Sequence, residues 1–103
     1  MNQQRIRVYY EDTDAGGVVF YANYLKYIER GRTEYLRDLG FEQGSLAKQY
    51  GMVFVVKSVS ADYLSPAYLD DVIEVQTSID LIKNASLVFA QKILNIEKNT
   101  VLF

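Results

Sequence analysis

The segment Tyr10-Glu11-Asp12-Thr13-Asp14-Ala15-Gly16-Gly17 places two aspartates and two adjacent glycines just ahead of an apolar stretch, Val18-Val19-Phe20-Tyr21, that leads into a helical pattern. A helix start presents backbone N–H groups with no intrahelical partner and the positive end of the helix dipole. Adjacent glycines let a ligand atom come close to the backbone. A carbonyl held beside Asp14 would meet a nucleophile or acid/base on one side and N–H donors on the other, the two requirements of acyl transfer. The same residues also have a plainer use. Asp12, Thr13 and Asp14 can cap the N–H groups of a turn that Gly16 and Gly17 merely bend. Residue types alone leave both uses open.

The rest of the inventory narrows the chemistry. The 103 residues include no cysteine and no histidine. Thiolate nucleophiles, disulfides, Ser-His triads and the commonest metal ligands are therefore unavailable, and neither a metal site nor a cofactor is expected. An enzyme made from this chain works with carboxylates, tyrosines, lysines, hydroxyls and backbone dipoles. The formal net charge is −2, with Lys and Arg scattered among Asp and Glu, so the clustered cations of a nucleic-acid binder are missing. The apolar run at residues 52–56 is far shorter than the roughly 20 residues of a membrane span, and the amino-terminal Met1-Asn2-Gln3-Gln4-Arg5 has no signal-peptide core. A cytoplasmic protein with no membrane span is expected. Nine tyrosines and five phenylalanines point either to an interface or apolar ligand site, or simply to core.

The scaffold for Asp14 reads as one domain, residues 1–103. A chain this short buries only about 60–65% of its unfolded surface, so self-association is an expected supplement. Residues 5–10 alternate, with Ile6, Val8 and Tyr10 on one face, and predict a strand. Residues 22–39 carry the helical period, with Tyr24, Leu25, Ile28, Gly31 or Arg32, Tyr35, Leu36 and Leu39 on one stripe. Gly31 on that stripe suggests close approach of another backbone, and Gly40 suits the position that ends a helix. Residues 45–50 add a further helical turn before Gly51. Three strands are then expected: 52–64, ending at Ser65-Pro66; 72–82, alternating cleanly; and 86–96, with a turn at Lys83-Asn84. Residues 97–100 turn again, and Val101-Leu102-Phe103 opens another strand. Strand, long helix and successive antiparallel strands make an α+β fold. Its helix, about 27 Å long at 1.5 Å per residue, can lie across a five-stranded sheet.

The run from Arg7 to Val19, continuing through Tyr21-Ala22-Asn23-Tyr24-Leu25 to Glu29-Arg30-Gly31-Arg32-Thr33-Glu34, resembles the bacterial YbgC-type acyl-CoA thioesterases of the 4-hydroxybenzoyl-CoA thioesterase branch of the hot-dog superfamily. The stretch Val59-Ser60-Ala61-Asp62-Tyr63-Leu64-Ser65-Pro66-Ala67, followed by Asp70-Asp71, is similar to that family as well. The resemblance implies a hot-dog fold, a curved antiparallel sheet wrapped around one long helix, whose last strand would lie beyond residue 103. It implies hydrolysis of acyl-CoA to a free acid and CoA. Asp14 would be the catalytic carboxylate, as nucleophile or as general base for water. The backbone N–H of Tyr21 would polarise the thioester carbonyl. Gly16, Gly17 and Val18 would shape the substrate loop, and Asn23 and Tyr24 would hold it against the helix; Glu29 lies on the motif with a structural use open to it.

Many YbgC-type relatives carry His where this chain has Tyr21, whereas the wider superfamily includes aromatic residues at this position, which favours a backbone role there. A homodimer or homotetramer is implied, with the active site at the dimer interface, and acyl-CoA as partner. Lys57, Lys83 and Lys92 are candidates for the CoA phosphates, or plain surface lysines. Two other functions compete with this one. A hydratase or dehydratase of the same fold relies on a histidine base that this chain lacks. A non-catalytic module binding acyl-CoA or acyl carrier protein needs no base at all.

Overall fold

The computed structural model describes residues 1–51, 53–83 and 85–103. Its order is β1 (Asn2–Arg7), a 3-10 turn (Tyr10–Asp12), α1 (Asn23–Asp38), α2 (Gln43–Tyr50), β2 (Val72–Lys83), β3 (Ser86–Asn95) and β4 (Thr100–Val101). The four strands form one antiparallel sheet in the order β1-β2-β3-β4. The class is α+β, as expected. No helix among the described residues is long and apolar enough to cross a membrane.

The alternation of β2 places Ile73, Val75 and Thr77 in the interior, fully buried. They face α1, whose inward stripe carries Tyr24, Tyr27, Ile28, Gly31 and Leu36. Two residues expected on that stripe, Leu25 and Leu39, are exposed at 41% and 50%. Tyr27, absent from the expectation, is inward instead. Gly31 is indeed a point of close approach, but to side chains: Thr77 and Val75 occupy the space a Cβ would need. Gln91 of β3 then ties sheet to helix, donating to the Ile28 carbonyl at 2.8 Å. At the end of α1 the Gly40 N–H bonds to Arg37 O and the Phe41 N–H to Leu36 O, with Gly40 at φ 92°. That left-handed residue stops the helix as its position implied. The expected extra turn at 45–50 is an eight-residue helix, α2.

Three expectations need correction. The first strand begins earlier and ends at Arg7 rather than Tyr10, because it follows the register of β2, with Asn2 opposite Thr77 and Arg7 opposite Val72. Residues 97–99 turn, but Thr100 already pairs with Asn95. The third is the largest. No strand is found among residues 53–64; Met52 and Asn84 lie outside the described residues, and so do those parts of the predicted strand and of the Lys83-Asn84 turn.

A strand exists only where a neighbour completes its ladder. The N–H groups of Leu64 and Ser65 bond to Leu102 O, but the preceding apolar residues find no such row, and Val53 and Val55 are 72% and 84% exposed. The sheet is accordingly four-stranded rather than five-stranded among the described residues. β4 covers only Leu94 and Asn95 of β3, so most of the outer edge of β3 is open there.

Candidate active site

Between β1 and α1 the chain makes a tight hairpin that carries the predicted site. Thr13 bridges Val19 across it, the Asp14 N–H donates to Val18 O at 2.9 Å, and the Gly17 N–H donates to Asp14 O at 3.0 Å. Gly17 has φ 79°, a conformation that a side chain resists. The Asp14 side chain is exposed, and its Oδ1 accepts the Gly16 N–H at 2.8 Å. Its second carboxylate oxygen has no partner among the described residues. A carboxylate so held is aimed by the backbone yet keeps lone pairs for an incoming group.

The hairpin is pinned on both sides. Val18 bridges Tyr68, and the Val19 N–H donates to Ala67 O at 2.9 Å. The Ala67 N–H in turn donates to the Tyr24 hydroxyl at 3.0 Å. Burial is the main reason the Tyr24 pKa is raised; the Ala67 N–H pulls it the other way, and Tyr63, Asp71 and Tyr68 raise it further. The ring of Tyr24 stacks on Phe103 with centroids 5.6 Å apart and meets Tyr63 edge-on. Asn23, the first residue of α1, reaches back from its Nδ2 to Asp12 O at 2.9 Å. Asn23 and Tyr24 thus both tie the hairpin to the helix, one through Asp12 and the other through Ala67.

Tyr21 lies on the far arm, two residues beyond the bridged Val19. The first helical turn is tight: the N–H groups of Asn23, Tyr24 and Leu25 bond to the carbonyls three residues before them. The N–H groups of Tyr21 and Ala22 have no partner among the described residues, as is usual for the donors at a helix start. The Tyr21 ring leans edge-on against Tyr63, with centroids 6.2 Å apart. Together with Val19, Tyr24 and residues 64–66 these rings line a recess of about 280 Å³. The structure therefore brings Tyr21 and Tyr24 together at one recess, while Asp14, Gly16, Gly17 and Val18 form the adjoining hairpin and do not line it. Asp14 and Tyr21 make no direct bond; each belongs to one arm of the same hairpin.

A larger hollow of about 580 Å³ lies along α1, lined by Leu25, Lys26, Ile28, Glu29, Arg30 and Arg32 of the helix with Val56 and Val59. No hairpin residue lines it. Lys57, Lys83 and Lys92 line neither recess and lie on three separate segments. Sequence reasoning gave Asp12 a turn-capping use, which its Oδ2 performs on the Tyr9 N–H, and passed over Tyr27. The Tyr27 hydroxyl is sealed in the core, and burial, reinforced by Asp12, raises its pKa. The inward spacing of Tyr27 from Tyr24 and Ile28 was the signal that could have found it.

The family model of the thioesterase superfamily matches residues 16–102. The chain belongs to the thioesterase superfamily. Among curated members it is similar to the acyl-CoA thioesterase YbgC of Haemophilus influenzae, 47% identical over 94% of this chain and 69% of that protein. It is similar also to the acyl-CoA thioester hydrolase YbgC of Escherichia coli O6:H1, 50% identical over 94% of this chain and 71% of that protein. Among solved structures of the superfamily, a probable thioesterase from Bartonella henselae superposes with a TM-score of 0.92 at 36% identity, covering 98% of this chain and 82% of that one. The α+β arrangement is thus the hot-dog fold of the superfamily, and the resemblance read from residues 7–34 holds across nearly the whole chain.

Proposed function

We propose that this thioesterase-superfamily protein hydrolyses acyl-CoA to a free acid and CoA. The observation that carries the reading is the hairpin itself, with the Asp14 carboxylate on one arm and the partnerless Tyr21 N–H at the helix start on the other. The YbgC relatives, named for the same activity, support it.

In the reaction the acyl carbonyl sits against the Tyr21 N–H, with the Ala22 N–H beside it. Asp14 either attacks the carbonyl carbon or takes a proton from a water that does so. Negative charge builds on the carbonyl oxygen as the bond forms, and fixed N–H donors stabilise that charge by several kcal/mol without having to reorient. Collapse of the tetrahedral species breaks the C–S bond and CoA leaves as thiolate. On the nucleophilic route water then cleaves the Asp14 mixed anhydride; on the other the acid is released at once. Water is the only co-reactant, and no cofactor is called for. The Tyr21 ring serves as a wall of the 280 Å³ recess, which receives the acyl group, while the proton chemistry rests with Asp14.

The protein works as a homodimer or homotetramer in this reading, with exposed apolar residues 53–56 among the surface available for assembly and the second subunit completing the site. The test is thiol release from a panel of short, long and aromatic acyl-CoAs by wild type, Asp14→Ala and Asp14→Asn. A loss of about a hundredfold or more in both variants, with the fold intact, is expected. Equal residual activity in all three would instead point to a protein that binds acyl-CoA or acyl carrier protein without cleaving it.

A further inference from the structure

Three rings meet that of Tyr63 nearly at right angles. Its centroid lies 6.2 Å from Tyr21, 5.6 Å from Tyr24 and 5.1 Å from Phe103, at interplanar angles of 79°, 79° and 77°. Tyr24 and Phe103 are themselves stacked, 2° from parallel, so the Tyr63 ring abuts that pair and the Tyr21 ring together. Edge-to-face pairs of this kind fix an orientation beyond what buried area alone provides. Tyr63 is thus a held ring although it is 49% exposed. The chain is anchored straight after it, where the Leu64 and Ser65 N–H groups bond to Leu102 O. Residues 53–62 before it join no strand.

The same ring lines the recess beside Tyr21. An acyl chain whose carbonyl sits at the Tyr21 N–H enters along the Tyr21 ring and meets Tyr63 across the recess. The space is small. At the ~30 Å³ that a water occupies, about 280 Å³ holds on the order of nine methylene-sized groups. A longer chain needs the room in which the Tyr63 ring stands. Two of the other walls are fixed more firmly: Val19 and Tyr24 are buried, and the Tyr24 hydroxyl is bonded by the Ala67 N–H. Tyr63, half-exposed on a segment without a strand, is the wall that a substitution removes without opening the core.

We propose that Tyr63 is the specificity-determining residue of the recess: its ring closes the space beside Tyr21 and limits the substrate to acyl groups of about nine carbons or fewer. The proposal rests on the acyl-CoA reading of the site, but the limit on length is a property of binding and is measured separately from cleavage. Tyr63 does not touch the reacting atoms. Its hold comes from the rings of Tyr21, Tyr24 and Phe103, three partners from two distant parts of the chain.

The experiment uses the full chain as wild type, Tyr63→Phe and Tyr63→Ala. Cleavage is followed for saturated acyl-CoAs from butanoyl to hexadecanoyl, and binding by calorimetry with the non-cleavable S-alkyl-CoA thioethers of the same lengths. Each methylene that enters the recess should tighten binding and raise kcat/KM about fourfold. In the wild type both rises are expected to stop near octanoyl. Tyr63→Phe, which keeps the ring, should stop at the same length. In Tyr63→Ala the rise should run on to longer chains, so that the preference for hexadecanoyl over octanoyl grows at least about tenfold. A variant that is merely loosened loses activity at every length and cannot gain on the long ones. A stopping point unchanged in Tyr63→Ala, or a wild-type affinity still rising beyond dodecyl, overturns the proposal. If the wild type binds the thioethers with the expected limit but cleaves no acyl-CoA, the thioesterase reading fails while the limit set by Tyr63 stands. If it binds none of them, the proposal fails with it.

Discussion

Gly31 of α1 lies so close to Thr77 of β2 that a Cβ added to the glycine would stand 2.7 Å from Thr77 Oγ1 and 2.7 Å from Val75 Cγ1. Both neighbours are fully buried and β-branched, hence stiff. Gly31→Ala gains about 1 kcal/mol of helix propensity but overpacks a contact of this kind at a cost of about 1–3 kcal/mol. The overpacking should win. Urea or thermal unfolding is expected to show a net loss of up to about 2 kcal/mol, and a variant more stable than wild type would show that the helix can lift off the sheet freely.

Gly16 and Gly17 separate aim from strain. A Cβ at Gly16 would sit 3.2 Å from Asp14 Oδ1 and so displace the carboxylate, whereas a Cβ at Gly17 meets nothing but is held at φ 79°. Gly16→Ala should lower thioesterase activity about tenfold, as a small misplacement of a catalytic group does, with little change in melting temperature. Gly17→Ala should instead lose about 1 kcal/mol of stability or more. The reverse assignment of the two effects would mean that the Asp14–Gly16 bond does not set the reactive geometry.

Tyr24→Phe keeps the ring stacked on Phe103 and removes the acceptor of the buried Ala67 N–H. Leaving a buried donor unpaired costs about 1–3 kcal/mol. The variant should unfold at lower urea concentration with an unchanged m-value. A midpoint equal to that of wild type would show that water replaces the phenol at Ala67.

Alkaline pH should weaken the fold through Tyr24 and Tyr27. Their folded pKa values are raised, by burial first in both, with Asp12 the next contributor at Tyr27. In the unfolded chain a tyrosine titrates near 10. Below that pH both states are protonated and the full stability is present. Above it the unfolded state loses protons that the folded state keeps, so stability falls as pH rises from about 10 through the folded values. Melting temperatures between pH 8 and 11.5 should decline above about pH 10, and Tyr27→Phe should decline less steeply. A curve with the same slope in both proteins would remove Tyr27 from this account.

Much of this architecture can be read from the residues. β2 and β3 announce themselves because their alternation matches the burial of Ile73, Val75 and Ile93, and α1 is bounded by Asn23 near one end and Gly40 at the other. Residues 53–64 fail the same test for a physical reason: apolar, β-branched composition makes a strand possible, but only a hydrogen-bonded neighbour makes one. The stripe on α1 was half legible. Leucines at 25 and 39 look inward by composition and face out, while Tyr27 looks amphipathic and is sealed. At the site, Asp14, Gly17 and Tyr21 lie in a hairpin that the glycine pair and the helix start foreshadow. Asp12 is different, since its carbonyl does most of its work and a carbonyl is the same in every residue.

The hairpin that carries Asp14 closes locally, but its seat does not. Val18 and Val19 lean on Tyr68 and Ala67, so the site is finished only when a loop of about 50 residues closes, an entropic cost that local turns avoid. Among the described residues the seat is also narrow: one bridge, one main-chain bond and one phenol. Folding should therefore complete the reactive geometry late, after α1 has met β2. During unfolding the order reverses, and catalytic competence should vanish before the sheet does, at denaturant concentrations where most of the helix and β-sheet signal is still intact.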